Sequence, residues 1–200
     1  MSTMVTTQQI GRQTLDIGLV FKQGWRLFVK DIGPLIVGAL IVAALSIVTL
    51  GILAGPLTAG LYGMVVKRVR DGQQPDVGDV FGQMNRFWSF FAAALVLGIL
   101  IGLASLTIIG GILLATIWLY VFPLMVDRGM GLGEAMRTSY EMVKQAGFWE
   151  HLALVIVFVV IASLANGALA ILATPFLVAL VAAGYYIAAG KGDDLERTAA

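Results

Sequence analysis

Cysteine is absent from this 200-residue sequence, histidine occurs once, and charged residues make up only 12% of it. Without a thiol there can be no disulfide, no thiolate metal site, no cysteine nucleophile and no lipid-modified cysteine. The one histidine, His151, has Glu150 beside it, and one imidazole with one carboxylate falls short of a metal-ligand set. It is expected to be a surface side chain at the depth of lipid headgroups. Soluble domains carry about 25% charged residues. A chain with 59% hydrophobic residues and a mean hydropathy of +0.92 has too little polar surface to cover a core in water.

The remaining scarcity is positional. Residues 32–66, 87–126 and 152–190 contain no Asp, Glu, Lys, Arg or His, in runs of 35, 40 and 39 residues. About 20 helical residues cross a hydrocarbon core roughly 30 Å thick, so each run has the length for two crossings and predicts a hairpin. Lipid offers no partner for unpaired backbone amides, which puts the turns at the membrane surface. They are expected at residues 51–56, at Gly110-Gly111, and between Asn166-Gly167 and Pro175. The resulting spans are 33–50, 55–69, 88–107, 110–126, 150–167 and 173–190, with Pro123 bending the fourth.

None of these turns carries a charge, so all thirteen Lys and Arg residues fall on the other side. Lys and Arg in short loops mark the cytoplasmic face, and both termini are therefore expected there. Residues 1–31 have no apolar core of signal-peptide length, so the N-terminus is expected to remain where it was made.

A period near 60 residues runs beneath the hairpins. Each ends in a glycine-bearing charged turn, Arg70-Asp71-Gly72, Asp127-Arg128-Gly129 and Gly190-Lys191-Gly192. Each is preceded by an amphipathic segment. Ile17, Phe21, Trp25 and Phe28 oppose the stripe Lys22, Arg26 and Lys30; Val77, Phe81, Met84 and Trp88 oppose Asp79, Gln83 and Arg86; Met136, Tyr140 and Val143 oppose Arg137, Glu141 and Lys144. Asp76 is placed to cap the second segment, and Gly133 with Glu134 to open the third.

The expected fold is thus all-α: a polytopic membrane bundle of six transmembrane helices as three hairpins, each preceded by an amphipathic interfacial helix. It reads as a single domain of repeats 13–72, 73–129 and 130–192, between disordered ends at 1–12 and 193–200. Interfacial helices set basic faces toward headgroups and aromatic rings at the boundary. The residues in those places are Lys22, Trp25, Arg26 and Lys30, then Arg86 and Trp88, then Arg137, Lys144 and Trp149. Gly51 with Gly55, and Gly98 with Gly102, have the four-residue spacing that lets membrane helices approach closely.

Little reactive chemistry is present. No ionisable group is expected near the midplane, which argues against proton-coupled pumps and voltage sensors. Asp79, Asp127, Glu134 and Glu141 lie among basic neighbours and read as capping and ion-pair groups, Arg137 and Glu141 being four apart. There is no Walker-type glycine loop and no nucleophile elbow. Basic residues interleaved with acids beside a membrane give no footprint for nucleic acid.

Several ordered motifs carry a resemblance. They are Gly24-Trp25-Arg26-Leu27-Phe28 with Gly33-Pro34; Gly55-Pro56-Leu57 with Gly60-Leu61-Tyr62; Arg70-Asp71-Gly72 with Asp79-Val80-Phe81; and residues 135–144 leading to Phe148-Trp149. In these the chain resembles an uncharacterised bacterial family of multi-pass membrane proteins related to the membrane domain of some glycerophosphodiester phosphodiesterases. The chain departs from that pattern at Ile109-Gly110-Gly111, where such families often have Ile-Pro-Gly. The resemblance implies a six-span domain in a bacterial plasma membrane and brings no catalytic residues. The expected function is non-enzymatic and cofactor-free, membrane-organising or partner-binding, with lipids and another membrane protein as partners. The alternative is a small uncoupled transporter or channel, with Pro56, Pro123, Asn166 and Pro175 interrupting helices in its wall.

Overall fold

The computed structural model describes residues 15–165 and 168–199. All regular structure among them is helical, and no strand forms. Three helical stretches are long and apolar enough to cross a membrane, Val77–Ala104, Ile109–Asp127 and Leu169–Ala188. The number rises to five if each of two sharply bent helix pairs makes one crossing.

Helix α1 (Ile17–Lys30) starts at Asp16, whose Oδ1 accepts from the Leu19 amide at 3.1 Å and so satisfies one of the unpaired donors of a helix start. It buries Val20, Gly24, Leu27 and Phe28 against α9 and then turns by 87° into α2 (Ile32–Val48). Pro34 lies in the first turn of α2, where its missing N–H has no helical partner to lose. A compact turn over 49–53, with Leu50 and Gly51 at positive φ, leads into α3 (Ala54–Asp71). Gly72, at φ 67°, ends α3 by donating its amide to the Arg68 carbonyl at 3.1 Å.

α3 is the central post of the bundle. It buries Leu57, Leu61, Met64 and Val65, and it touches α2, α4, α6 and α9. Two 3-10 segments, Val77–Phe81 and Met84–Arg86, run back along α3 before α4 (Phe87–Ala104). α5 (Ile108–Ile117) returns beside α4, followed by α6 (Val121–Asp127), α7 (Leu132–Ala146), α8 (Phe148–Leu164), α9 (Ala168–Ala188) and α10 (Gly192–Ala199). α7 and α8 meet at 110° across Gly147, whose φ of 107° suits a residue without a side chain. The Leu15 amide donates to the Ala146 carbonyl at 2.8 Å, tying the start of α1 to this second elbow.

The surface has the polarity expected of a membrane protein. Leu50 is 93% exposed, Leu106 86% and Leu164 73%, all at or beside the ends of helices remote from the charged segments. Large apolar side chains left this bare suit a surface that faces lipid. The charged segments, far apart in sequence, meet at the other end: Asp31 pairs with Arg68, and Lys30, Arg70, Asp127, Lys191 and Arg197 surround one cavity.

Helix positions follow the expected spans within a few residues, with local differences. The fourth span is two helices. Pro123 bars the Leu119 carbonyl from a helical partner, and the helix breaks one turn earlier, at 118–120. Ser139 of α7 serves the opened backbone, donating to the Ile117 carbonyl at 2.9 Å and accepting from the Tyr120 amide at 3.1 Å. The second hairpin turns at 105–107, not at Gly110-Gly111, which lie within α5. The second amphipathic segment is not an α-helix set across its span. Asp76 and Asp79 form a reciprocal capping box that favours a tight turn, and Gly78 and Gly82 weaken helix propagation. The stretch from 193 forms α10, anchored by the fully buried Leu195, instead of disordered chain. Residues 1–12 and Asn166-Gly167 lie outside the described residues, but the rest of the expected third turn is helix: α9 begins at Ala168 and contains Pro175.

Candidate functional site

The features with binding chemistry sit at the charged end, in an outer girdle and an inner cleft. The girdle follows from the two elbows. Setting α1 across α2, and α7 across α8, leaves Trp25 56% exposed and Trp149 74% exposed, and Trp88 at the start of α4 is 76% exposed. On α1, at about 100° per residue, three faces separate. Val20, Gly24 and Leu27 face the bundle, Trp25 and Val29 lie on one exposed flank, and Lys22, Arg26 and Lys30 lie on the other. Trp25 is braced edge-on by Phe176 at 5.8 Å, itself 5.6 Å from Phe28. On α7, Arg137 and Lys144 are exposed, and the Lys144 ammonium lies 6.0 Å from the Tyr140 ring centre.

Arg86 is not part of this exposed set. Its guanidinium donates to the carbonyls of Met125 (2.7 Å), Gly129 (3.2 Å) and Met130 (2.9 Å) and lies over the Phe90 ring. It thus closes the end of α6, a use invisible in the sequence because its partners are backbone atoms about 40 residues away. Arg86→Ala is expected to destabilise the protein by about 1–3 kcal/mol, the cost of unsatisfied carbonyls. Arg86→Lys should recover only part, since one ammonium cannot reproduce the fork. Thermal unfolding in detergent measures both.

The cleft occupies about 440 Å³ between the ends of α1, α3, α6 and α9 and the side of α10. Lys30, Arg68, Arg70, Lys191 and Arg197 line it together with Asp71, Asp127, Asp194 and Tyr186. Arg68 is committed to Asp31 in a two-pronged pair whose side chains are only 11% and 2% exposed. Arg70 Nε donates to Asp71 at 3.1 Å, and that bond, with smaller help from Asp127, holds the guanidinium above its ordinary range. Asp127 accepts from the Tyr185 hydroxyl at 2.6 Å and the Tyr186 hydroxyl at 3.4 Å, while Arg128 Nε donates to Tyr185 at 3.0 Å. Beside the cleft, Lys67 pairs with Asp79 at 2.7 Å. Among the described residues no three His, Asp or Glu side chains gather as a metal site.

His151 is fully buried, not at the surface. Its Nδ1 lies 2.5 Å from the Gly147 carbonyl, one turn back, which requires a proton on Nδ1 and leaves Nε2 as an acceptor. The Tyr120 ring stands edge-on at 5.4 Å, and neither the Tyr120 hydroxyl nor His151 Nε2 has a partner among the described residues.

The expected packing glycines divide. A Cβ at Gly55 would overlap the Phe90 carbonyl oxygen, so α3 and α4 touch backbone to backbone there. Gly51 serves the turn at φ 86°, and Cβ atoms at Gly98 and Gly102 would meet nothing within 4 Å. Two further close approaches escaped the spacing rule: Gly60 lies against the Val80 backbone and Gly24 against Leu180.

Comparison with protein-family models, with curated proteins and with solved structures finds no match to this chain.

Proposed function

We propose that the chain is a non-enzymatic, six-crossing domain of the bacterial plasma membrane, both termini cytoplasmic, that organises or docks against membrane through its basic girdle. In this reading α2, α3, α4, the α5–α6 pair, α8 and α9 are the crossings, arranged as three hairpins. The observation that carries it is the pair of elbows. Each turns an amphipathic helix across the following apolar helix and leaves Trp25 with Lys22 and Arg26, and Trp149 with Arg137 and Lys144, exposed at one end of the bundle. Amphipathic aromatic rings and basic side chains in that position suit the layer between acyl chains and anionic headgroups.

Two experiments test it. The native absence of cysteine allows single-cysteine labelling without background. Leu106→Cys, in the second hairpin turn, should react with an impermeant maleimide from outside the cell, and Lys191→Cys only after the membrane is opened. Labelling of both from the same side refutes the topology. Lipid counting by native mass spectrometry addresses the girdle. A basic side chain near an anionic surface contributes about 1 kcal/mol. Changing Lys22, Arg26, Arg137 and Lys144 together to Gln should therefore reduce enrichment of anionic over zwitterionic lipid by at least about tenfold. An unchanged lipid profile refutes headgroup binding by the girdle.

A second reading, uncoupled transport, draws on the α5–α6 interruption. Broken helices line substrate sites in many transporters, and here the break adjoins the unpartnered Tyr120 hydroxyl and His151 Nε2. Uptake by proteoliposomes that is lost in Tyr120→Phe would favour it.

A further inference from the structure

We propose that the cleft at the charged end binds a phosphate-bearing anion, a soluble phosphate ester or diphosphate or the phosphate of an anionic lipid, held chiefly by Lys191 and Arg197. This goes beyond the girdle, which uses other residues on the outer faces of α1 and α7.

Size and charge agree. A volume of about 440 Å³ lies within the range of roughly 300–1,000 Å³ typical of small-molecule sites. Five cationic and three acidic side chains, drawn from α1, α3, α6, the turn after α9, and α10, line it, which leaves a net positive charge even when Asp31, the partner of Arg68, is counted. Two of the acids already have donors within the protein: Asp71 accepts from Arg70, and Asp127 from two tyrosine hydroxyls. Arg68 is held by Asp31. Among the described residues no carboxylate oxygen lies within 4.0 Å of Lys191 or Arg197.

The competing explanation is that these cations merely complement helix ends, since several helices finish at the cleft and each presents partly negative carbonyls. The hydrogen bonds answer it. At the end of α9, the Gly190 amide donates to the Ile187 carbonyl at 3.0 Å and the Lys191 amide to the Tyr186 carbonyl at 2.8 Å. Gly72 closes α3 through its own amide, and Arg86 closes α6 from outside the cleft. The end carbonyls named here on α9, α3 and α6 are thus served without the Lys191 ammonium or the Arg197 guanidinium. α10 meanwhile is pinned by Leu195, fully buried, which fixes Arg197 at the cleft. A guanidinium fork and an ammonium facing one polar cavity are matched to the oxygens of a phosphate.

The test uses the full-length protein in nanodiscs. In one arm, phosphatidylcholine nanodiscs are titrated with pyrophosphate; in the other, phosphatidic acid is mixed into the bilayer. The readout is the thermal unfolding midpoint, which rises when a ligand binds the folded state. Wild type should show a saturable rise in one arm. Response to pyrophosphate identifies a soluble ligand, and response to phosphatidic acid alone identifies a headgroup. Lys191→Gln and Arg197→Gln, both at exposed positions, should each keep the unliganded midpoint and need at least tenfold more probe, and Arg197→Lys should recover part of the loss. Lys22→Gln with Arg26→Gln is the girdle control: it should respond like wild type to pyrophosphate, and in the lipid arm it should lower the rise while keeping the part that depends on Lys191 and Arg197. No saturable rise in either arm overturns the proposal, as does a rise that is undiminished in the Lys191→Gln, Arg197→Gln double variant or is lost equally in the girdle control. A cleft that fails leaves the lipid profile of the girdle variants unaffected, so the two readings fail separately.

Discussion

Asp31→Ala is expected to destabilise the protein by about 3–5 kcal/mol, because it leaves a nearly buried guanidinium without its counter-ion. Asp31 sits between α1 and α2, and Arg68 lies near the end of α3, so their pair fixes the 87° elbow against the central helix. With side-chain exposures of 2% and 11%, both charges have given up most of their hydration to make the pair. The chemistry of the pair separates charge from shape. Asp31→Asn keeps the volume and loses the ionic partner, and should be nearly as damaging as alanine. Replacing both residues, Asp31→Leu with Arg68→Met, removes the stranded charge and should restore most of the loss, since a packed apolar pair often equals a buried ionic one. Asp71→Ala breaks the exposed Arg70 pair and should cost within about 1 kcal/mol. The measurement is the unfolding midpoint in a mild detergent, read as a double-mutant cycle. If Asp31→Ala and Asp71→Ala behave alike, the clasp does not hold the elbow.

That pair also shows where the sequence stops being legible. Helix placement was readable because hydrocarbon and water impose a local rule. The charge-free runs located α2, α4, α8 and α9 to within a few residues, and the four-residue stripe of Lys22, Arg26 and Lys30 located α1. Asp31 and Arg68 are 37 residues apart, and nothing local distinguishes them from the neighbouring Lys30 and Arg70, which do not join that pair. Arg86 looked like a headgroup ligand for the same reason, although its partners are main-chain carbonyls brought in by α6. His151 looked exposed because it adjoins Glu150 at a boundary. Its depth depends on Tyr120 packing edge-on against it, and that follows from the α5–α6 break. The break itself was half legible. Pro123 announced an interruption, whereas Ser139, which satisfies the opened backbone, stands on another helix. The cleft required all of these long-range contacts at once, since its lining comes from helix ends scattered between residues 30 and 197.

The largest steric effect is expected at a glycine that spacing rules passed over. Gly60 lies midway along α3, and a Cβ built there would overlap the Val80 carbonyl oxygen, with the Val80 carbonyl carbon and Cα also within contact. The obstacle is backbone, so no side-chain rotation relieves it, and Gly60→Ala must push the Val77–Phe81 turn away from the helix. Overpacking alone costs about 1–3 kcal/mol. Displacing the turn also exposes Val80, now fully buried, at a further cost of about 1.5–3 kcal/mol, and it stretches the Lys67–Asp79 pair beyond 2.7 Å. A loss of about 3 kcal/mol or more is therefore expected, visible as poor recovery of folded protein and a lowered midpoint. Two neighbours provide the contrast. A Cβ at Gly63 would make ordinary contacts, with the Gln83 side-chain amide at 3.5 Å and Val126 Cγ1 at 3.9 Å, so Gly63→Ala should be tolerated. Gly98 on α4 faces open space, and Gly98→Ala should be neutral or stabilising by up to about 1 kcal/mol, since alanine propagates a helix better than glycine. Identical methyl additions at three helical glycines thus give outcomes ordered by what each methyl meets. Gly60→Ala behaving like Gly98→Ala would mean that the turn does not dock on α3, and with it would go the shelf that leads the chain from α3 into α4.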